Sequence, residues 1–208
     1  MKTHFLCCVA SVGMNLSVPA RGADAVQNMA EFNERINQCL SIAREPSLSA
    51  EMGKLEKDDL IFRFIFDTQA DGVYIITCRL THRNPLLTWS HISVGLSRPS
   101  DIFAVPQKLQ DVGQKRLTDN EAGTLGALLF AGMFFERPLE IATEPGINEI
   151  GIRIEGVGRG RCNLIDRSGV FCQTPGFAKE HSVSIAESHI ESAITYILGI
   201  SGADIRLF

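Results

Sequence analysis

The stretch RCNLIDRSGVFC (161–172) sets Cys162 and Cys172 ten residues apart around a turn-forming centre. Sulfur at such a spacing could bind a metal, cycle as a redox pair or cross-link a hairpin. A zinc site wants Cys or His in pairs a few residues apart, and a thioredoxin-like centre wants Cys-x-x-Cys; neither pattern occurs in this chain. With Asp166, Arg167 and Ser168 as a three-residue turn, Cys162 falls opposite Cys172. Cross-strand Cβ atoms there lie about 4.5–5.5 Å apart, close to what a disulfide needs. The sequence thus predicts a cross-link between Cys162 and Cys172. It predicts a second between Cys39 and Cys78, provided the helix carrying one packs on the strand face carrying the other.

Other reactive groups are dispersed. His82, His91, His181 and His189 lie outside any H-E-x-x-H run, and neither a G-x-S-x-G elbow nor a Walker loop is present. EGVGRGRCN (155–163) has the glycines of a phosphate cradle, but it joins strand to strand, whereas dinucleotide loops join strand to helix. What it offers is a hairpin tip carrying Arg159, with Arg153 and Arg161 on one outer face beside Phe171, and Glu155 opposite Arg161. Guanidinium groups beside an aromatic ring suit a carboxylate, a phosphate or a partner's acidic loop. A second binding candidate is CRLTHRNPLLTWSH (78–91), where Arg79, His82, Arg83, Trp89 and His91 gather about a proline-containing loop. No metal or cofactor motif accompanies either stretch.

The elements that must position these residues begin after a leader. Residues 1–22 run from a cationic start (Lys2) through an apolar stretch, Phe5 to Leu16, to small residues, the layout of a secretory signal peptide. Cleavage after Gly22 fits this layout, as does cleavage after Ala20 or Ala25. Removing 1–22 takes away Lys2 and Arg21 and no acid, shifting the formal charge from −4 to −6. That charge argues against nucleic-acid binding, and the later sequence has no apolar run long enough to span a membrane.

Val26, Met29, Phe32, Ile36, Cys39 and Leu40 recur at helical spacing over residues 24–44, an amphipathic helix ended before Pro46. Residues 45–59 read as a polar connector. LIFRFIF (60–66) and VYIITCRL (73–80) read as a hairpin whose alternation puts Leu60, Phe62, Phe64, Phe66, Tyr74, Ile76 and Cys78 on one core face, with Phe66 opposite Tyr74 and Phe62 opposite Cys78. A third strand follows at 88–97, with Trp89 and His91 turned outward, and a short edge strand at 101–105 stopped by Pro106. Thr118 and Glu121 form a capping box for an apolar helix that ends before Pro138, read as buried on most sides. Strands are expected at 139–143, 147–156, 161–165 and 170–174, then a helix over 184–198.

Runs of strands between scattered helices predict an α+β fold: a mostly antiparallel sheet of two β-meander segments against an N-terminal amphipathic helix, a buried central helix and a C-terminal helix. Residues 23–208 form one domain on this reading. The function expected is a periplasmic or secreted, non-catalytic binding protein for a protein partner or small anionic ligand, with Arg153, Arg159, Arg161, Phe171, Trp89 and His91 as binding residues. The alternatives are an exported hydrolase with a His/acid/Ser site assembled by the fold, or a docking subunit using the apolar helix at 124–135.

Overall fold

The computed structural model describes residues 20–68, 72–95, 105–137, 150–158, 160–169 and 185–203, the side chains of 20–31 and 167–169 aside. In chain order the elements are α1 (Ala20–Ala43), α2 (Leu48–Met52), β1 (Leu60–Asp67), β2 (Val73–Leu80), β3 (Leu86–Gly95), β4 (Val105–Arg116), α3 (Asp119–Ala131), β5 (Ile150–Gly158), β6 (Arg161–Gly169) and α4 (Ile185–Ser201). The six strands form one sheet in the order β4-β3-β2-β1-β5-β6, antiparallel at every step.

β1 lies inside the sheet and is buried on both faces along its whole length. That is why LIFRFIFD is almost continuously apolar rather than alternating. One face carries the main core, where Phe62, Phe64, Phe66, Ile76, Cys78 and Ile154 meet α3 and α4 through Leu125, Leu129, Ile190 and Ile194. On the other face, Ile65, Val73, Ile75 and Ile92 lie beneath Ile36 and Cys39 of α1, and Ile61 and Val157 beneath Leu48 of α2. The molecule therefore has three layers, helices on sheet on helices. The expected β1–β2 register is the observed one, with Phe66 opposite Tyr74 and Phe62 opposite Cys78.

Two expectations fail for identifiable reasons. β5 continues to Gly158 and β6 starts at Arg161, so the turn is two residues long, with Gly160 at φ +70° supplying the left-handed backbone such turns require. A five-residue turn at 156–160 is wrong by an odd number of positions, and an odd slip turns every side chain of the strand to the other face. Val157, not an isoleucine of the Ile150–Ile154 set, lies opposite Cys162, while Ile154 pairs with Ile165. Asp166, Arg167 and Ser168 are strand residues paired with β5, so the three-residue turn that was to bring Cys172 opposite Cys162 is not formed. Cys172 itself, like residues 101–104 and 139–143, lies outside the described residues.

The second failure is β4. Pro106 does not end a strand; it sits inside one that runs from Val105 to Arg116. Its missing N–H is tolerable because β4 is the sheet edge. The pairing with β3 slips twice, between His91 and Ile92 and between Ser93 and Val94.

α3 begins where its capping box predicts: Glu121 N–H donates to Thr118 Oγ1 at 3.2 Å, and Thr118 N–H to Glu121 Oε2 at 2.8 Å. It buries Leu125, Gly126 and Leu129 but leaves Phe130 39% exposed, and Met133, just past its end, is 51% exposed, so it belongs to an outer layer rather than being surrounded. Just beyond it, Phe134 meets Phe62 edge-on at 5.4 Å over Gly156, where a Cβ would stand 2.5 Å from the Phe134 ring.

Replacing Thr118 with Ala removes a cap worth about 1 kcal/mol, which urea unfolding will register. Glu121 reports on pH. The Lys115 ammonium bonded to it, then the Thr118 N–H, hold its carboxyl down at about 2 instead of 4.5. Because the folded-state value is depressed, this contribution is present above 4.5 and is lost as pH falls toward 2. The stability difference between the native chain and Glu121→Gln should shrink over that interval.

Candidate functional site: a charged layer beneath the N-terminal helix

A lone charge in the middle of a strand buried on both faces must find partners, since leaving it unpaired costs several kcal/mol. Arg63, at the centre of β1 and 1% exposed, is such a charge. Its Nη1 donates to Glu155 Oε2 on β5 at 3.1 Å. Its Nη2 donates to Glu45 Oε2 at 3.2 Å and to the Pro46 carbonyl at 2.7 Å, and its Nε points at Thr77 Oγ1 on β2 at 3.5 Å. Thr77 Oγ1 in turn donates to Glu45 at 3.2 Å. The guanidinium thereby ties the α1–α2 connector to three adjacent strands.

Further pairs continue the layer on the same face. Arg35 of α1 meets Asp67 at 2.8 Å. Arg153 of β5 grips Asp166 through two bonds of 2.6 and 2.8 Å, donates to Asn33 of α1 and lies 5.3 Å from the Phe32 ring centre. At the other end Arg79 reaches Glu51 of α2 at 2.8 Å; the bond from Lys54, then that from Arg79, lower the Glu51 carboxyl below its usual range. Four arginines are matched by five carboxylates, and Arg63 has all three nitrogens engaged. Such a layer fixes positions; Arg35 Nε, buried without a hydrogen-bond partner, is a loose end in it rather than an open fork.

The expected binding residues are consequently separated. Arg153 is 5% exposed and committed to Asp166, whereas Arg161 points from the opposite face of the sheet, exposed and paired with Glu136 at 3.0 Å. Glu155, expected to neutralise Arg161, serves Arg63. Arg159 and Phe171 lie outside the described residues. Trp89 does not turn outward: it packs against the main core, with its ring over Gly113, where a Cβ would come within 1.9 Å. His91 stacks on Tyr74 at 4.2 Å with the rings 3° from parallel. Arg79 faces α2 across the sheet from Trp89, so residues 78–91 do not form one patch.

The thiols are equally divided. Cys39 lies under α1 and Cys78 in the core on the other side of the sheet, so α1 packs on the face that Cys78 does not share. Among the described residues no two cysteines are at disulfide distance. Burial, reinforced by Asp67, pushes the Cys39 thiol up to about 12, and burial alone raises Cys78 further. Neither is a nucleophile at neutral pH. His82 is exposed, and His189 Nδ1 lies 2.8 Å from the Ile185 carbonyl of its own helix; His181 lies outside the described residues. Among the described residues no group of three His, Cys, Asp or Glu side chains could hold a metal, and no helix is long and apolar enough to cross a membrane.

An open depression of about 570 Å³ lies between the α2–β1 segment and the β5–β6 turn, lined by Met52, Leu55, Glu56, Lys57, Asp58 and Gly158. Its two carboxylates against one lysine are unsuited to an anion. No protein-family model and no curated protein sequence matches this chain.

Sequence reasoning read residues 45–59 as a connector and so missed Glu45 and Glu51. The signal was present in Arg63, a cation inside LIFRFIF whose partners had to be sought among nearby acids. Arg63→Leu strands Glu45 and Glu155 and should cost about 3–5 kcal/mol in urea unfolding. Adding Glu45→Gln and Glu155→Gln should recover much of that loss. Cys39 and Cys78 should resist alkylation until the chain is unfolded, as mass spectrometry of the modified protein will report.

Proposed function

We propose that this chain is an exported, non-catalytic binding protein and that it binds another protein. The observation that carries the reading is β4, a twelve-residue strand at the sheet edge on which Val105 and Leu109 are each 39% and Val112 is 59% exposed. Interaction surfaces are recognised by exposed apolar groups rimmed by polar ones; Leu109 and Val112 share the α1 side of the sheet with Gln114 and Arg116, while Val105, opposite Gly95, lies on the other side. A small anionic ligand has less support, because the buried arginines are committed to carboxylates. Export is supported by the leader pattern of residues 1–22; cleavage after Gly22 would trim three residues from α1.

Docking through α3 is a second reading, favoured by the exposed Phe130 and Met133. Its surface is reduced because Leu128 is partly buried and Phe134 fully so. The hydrolase alternative draws no support from the two buried thiols or from the surroundings of His82 and His189.

The full chain produced in a bacterial host should be recovered from the periplasm or medium with a mature N-terminus near Ala23, read by intact mass, and should leave chromogenic ester, peptide, phosphoester and glycoside substrates unchanged. An uncut chain in the cytoplasm would refute export. Turnover abolished by substituting a histidine would refute the non-catalytic reading.

A further inference from the structure

The geometry points to a specific mode of binding, one that rests on the binding-protein reading: β4 accepts an extended segment of an acidic partner protein by strand addition along its outer edge. One side of β4 is paired with β3, and among the described residues no strand is paired with the other. Twelve residues span about 40 Å, roughly twice a common strand length. Every second residue of an edge strand turns its N–H and C=O outward, so the edge presents a row of main-chain donors and acceptors.

The edge is guarded at one end and regular at the other. Pro106, Lys108 and the two register slips fall in its first part, and these are features that discourage strand pairing. From Asp111 to Arg116 the pairing with β3 is unbroken. Here Val112, Gln114 and Arg116 lie opposite Ser90, Thr88 and Leu86 and share the α1 side of the sheet; Leu109, opposite Ile92, shares it too. A strand added at this end would cover Leu109 and Val112 with its own side chains.

Charge selects the occupant. The whole chain is acidic, at −4, yet β4 carries Lys108, Lys115 and Arg116 against Asp111 alone. Lys115 is occupied by Glu121 at 2.7 Å, while Lys108 and Arg116 make no ion pair among the described residues. A second copy would set two basic strands side by side, and like charges across a strand pair are destabilising. A partner with a carboxylate opposite Arg116 and an apolar side chain opposite Val112, four residues apart on one face, is complementary in both respects.

The test uses the mature protein, ¹⁵N-labelled, with a synthetic peptide of about ten residues that alternates valine and threonine and carries a glutamate four residues from a central valine. We expect this peptide to slow hydrogen exchange of amides between Leu109 and Arg116 and to bind about tenfold more tightly than its lysine counterpart. The same peptide N-methylated at alternate residues should not bind, nor should Val112→Lys, whose side chain is exposed and whose unchanged thermal midpoint will show that it folds. Protection at β6 instead, equal binding of the lysine peptide, retained binding after N-methylation, or no binding at millimolar peptide would each overturn strand addition. So would a dimer in sedimentation equilibrium that Val112→Lys abolishes. These outcomes are separate from the tests of the underlying reading, in which the mature N-terminus reports on export and the turnover assays on the absence of catalysis.

Discussion

The position of everything on one side of the sheet depends on a guanidinium held in the interior. Arg63 reaches Glu155 on one neighbouring strand, Thr77 on the other, and Glu45 with the Pro46 carbonyl at the end of α1. Without those acceptors its burial would be prohibitive; with them, the path of the chain between α1 and α2 is fixed by hydrogen-bond direction. Arg35–Asp67 and Arg153–Asp166 with Asn33 repeat the device farther along α1. Interior ion pairs of this kind roughly break even against apolar residues of equal size, whereas each large apolar side chain buried on the other face contributes about 1.5–3 kcal/mol. The two faces thus divide the labour: the aromatic and aliphatic core beneath α3 and α4 supplies stability, and the charged layer supplies orientation.

How much of this was legible depends on the kind of signal. The β1–β2 hairpin was readable because strict alternation and flanking turn residues fix a register together, and Phe66 does face Tyr74. The start of α3 was readable because Thr118 and Glu121 satisfy each other's backbone without help from the rest of the fold. The β5–β6 turn was not. Four glycines in GVGRGR and its neighbour GIRIEG allow several turn lengths, and only long-range pairing with β1 decides that Gly158 is still strand. β4 was placed at an edge but cut short, because Pro106 was read as its stop, whereas at the sheet edge the missing N–H is tolerated and the strand runs on to Arg116.

The candidate site shows the same division. Arg153 and Arg161 are residues of the right chemistry for binding, yet a three-position error in the turn placed on one face what the sheet separates onto two. Cys39 was rightly assigned to the apolar stripe of its helix and Cys78 to a core face. Which face the helix covers is decided by Arg35, Asn33 and Glu45 finding partners in distant strands, and that matching leaves no periodic trace in the sequence.

The bond between Arg153 and Asn33 joins residues 120 positions apart, and Arg63 is satisfied only once Glu155 is in place. Since a chain is synthesised from its N-terminus, α1 emerges long before the strand that anchors it. Contacts of such large sequence separation form late. α1 can lay its apolar stripe on β1–β3 through Ile36 and Cys39 as soon as those strands are made, while its polar anchors on β5 wait for the second half of the chain.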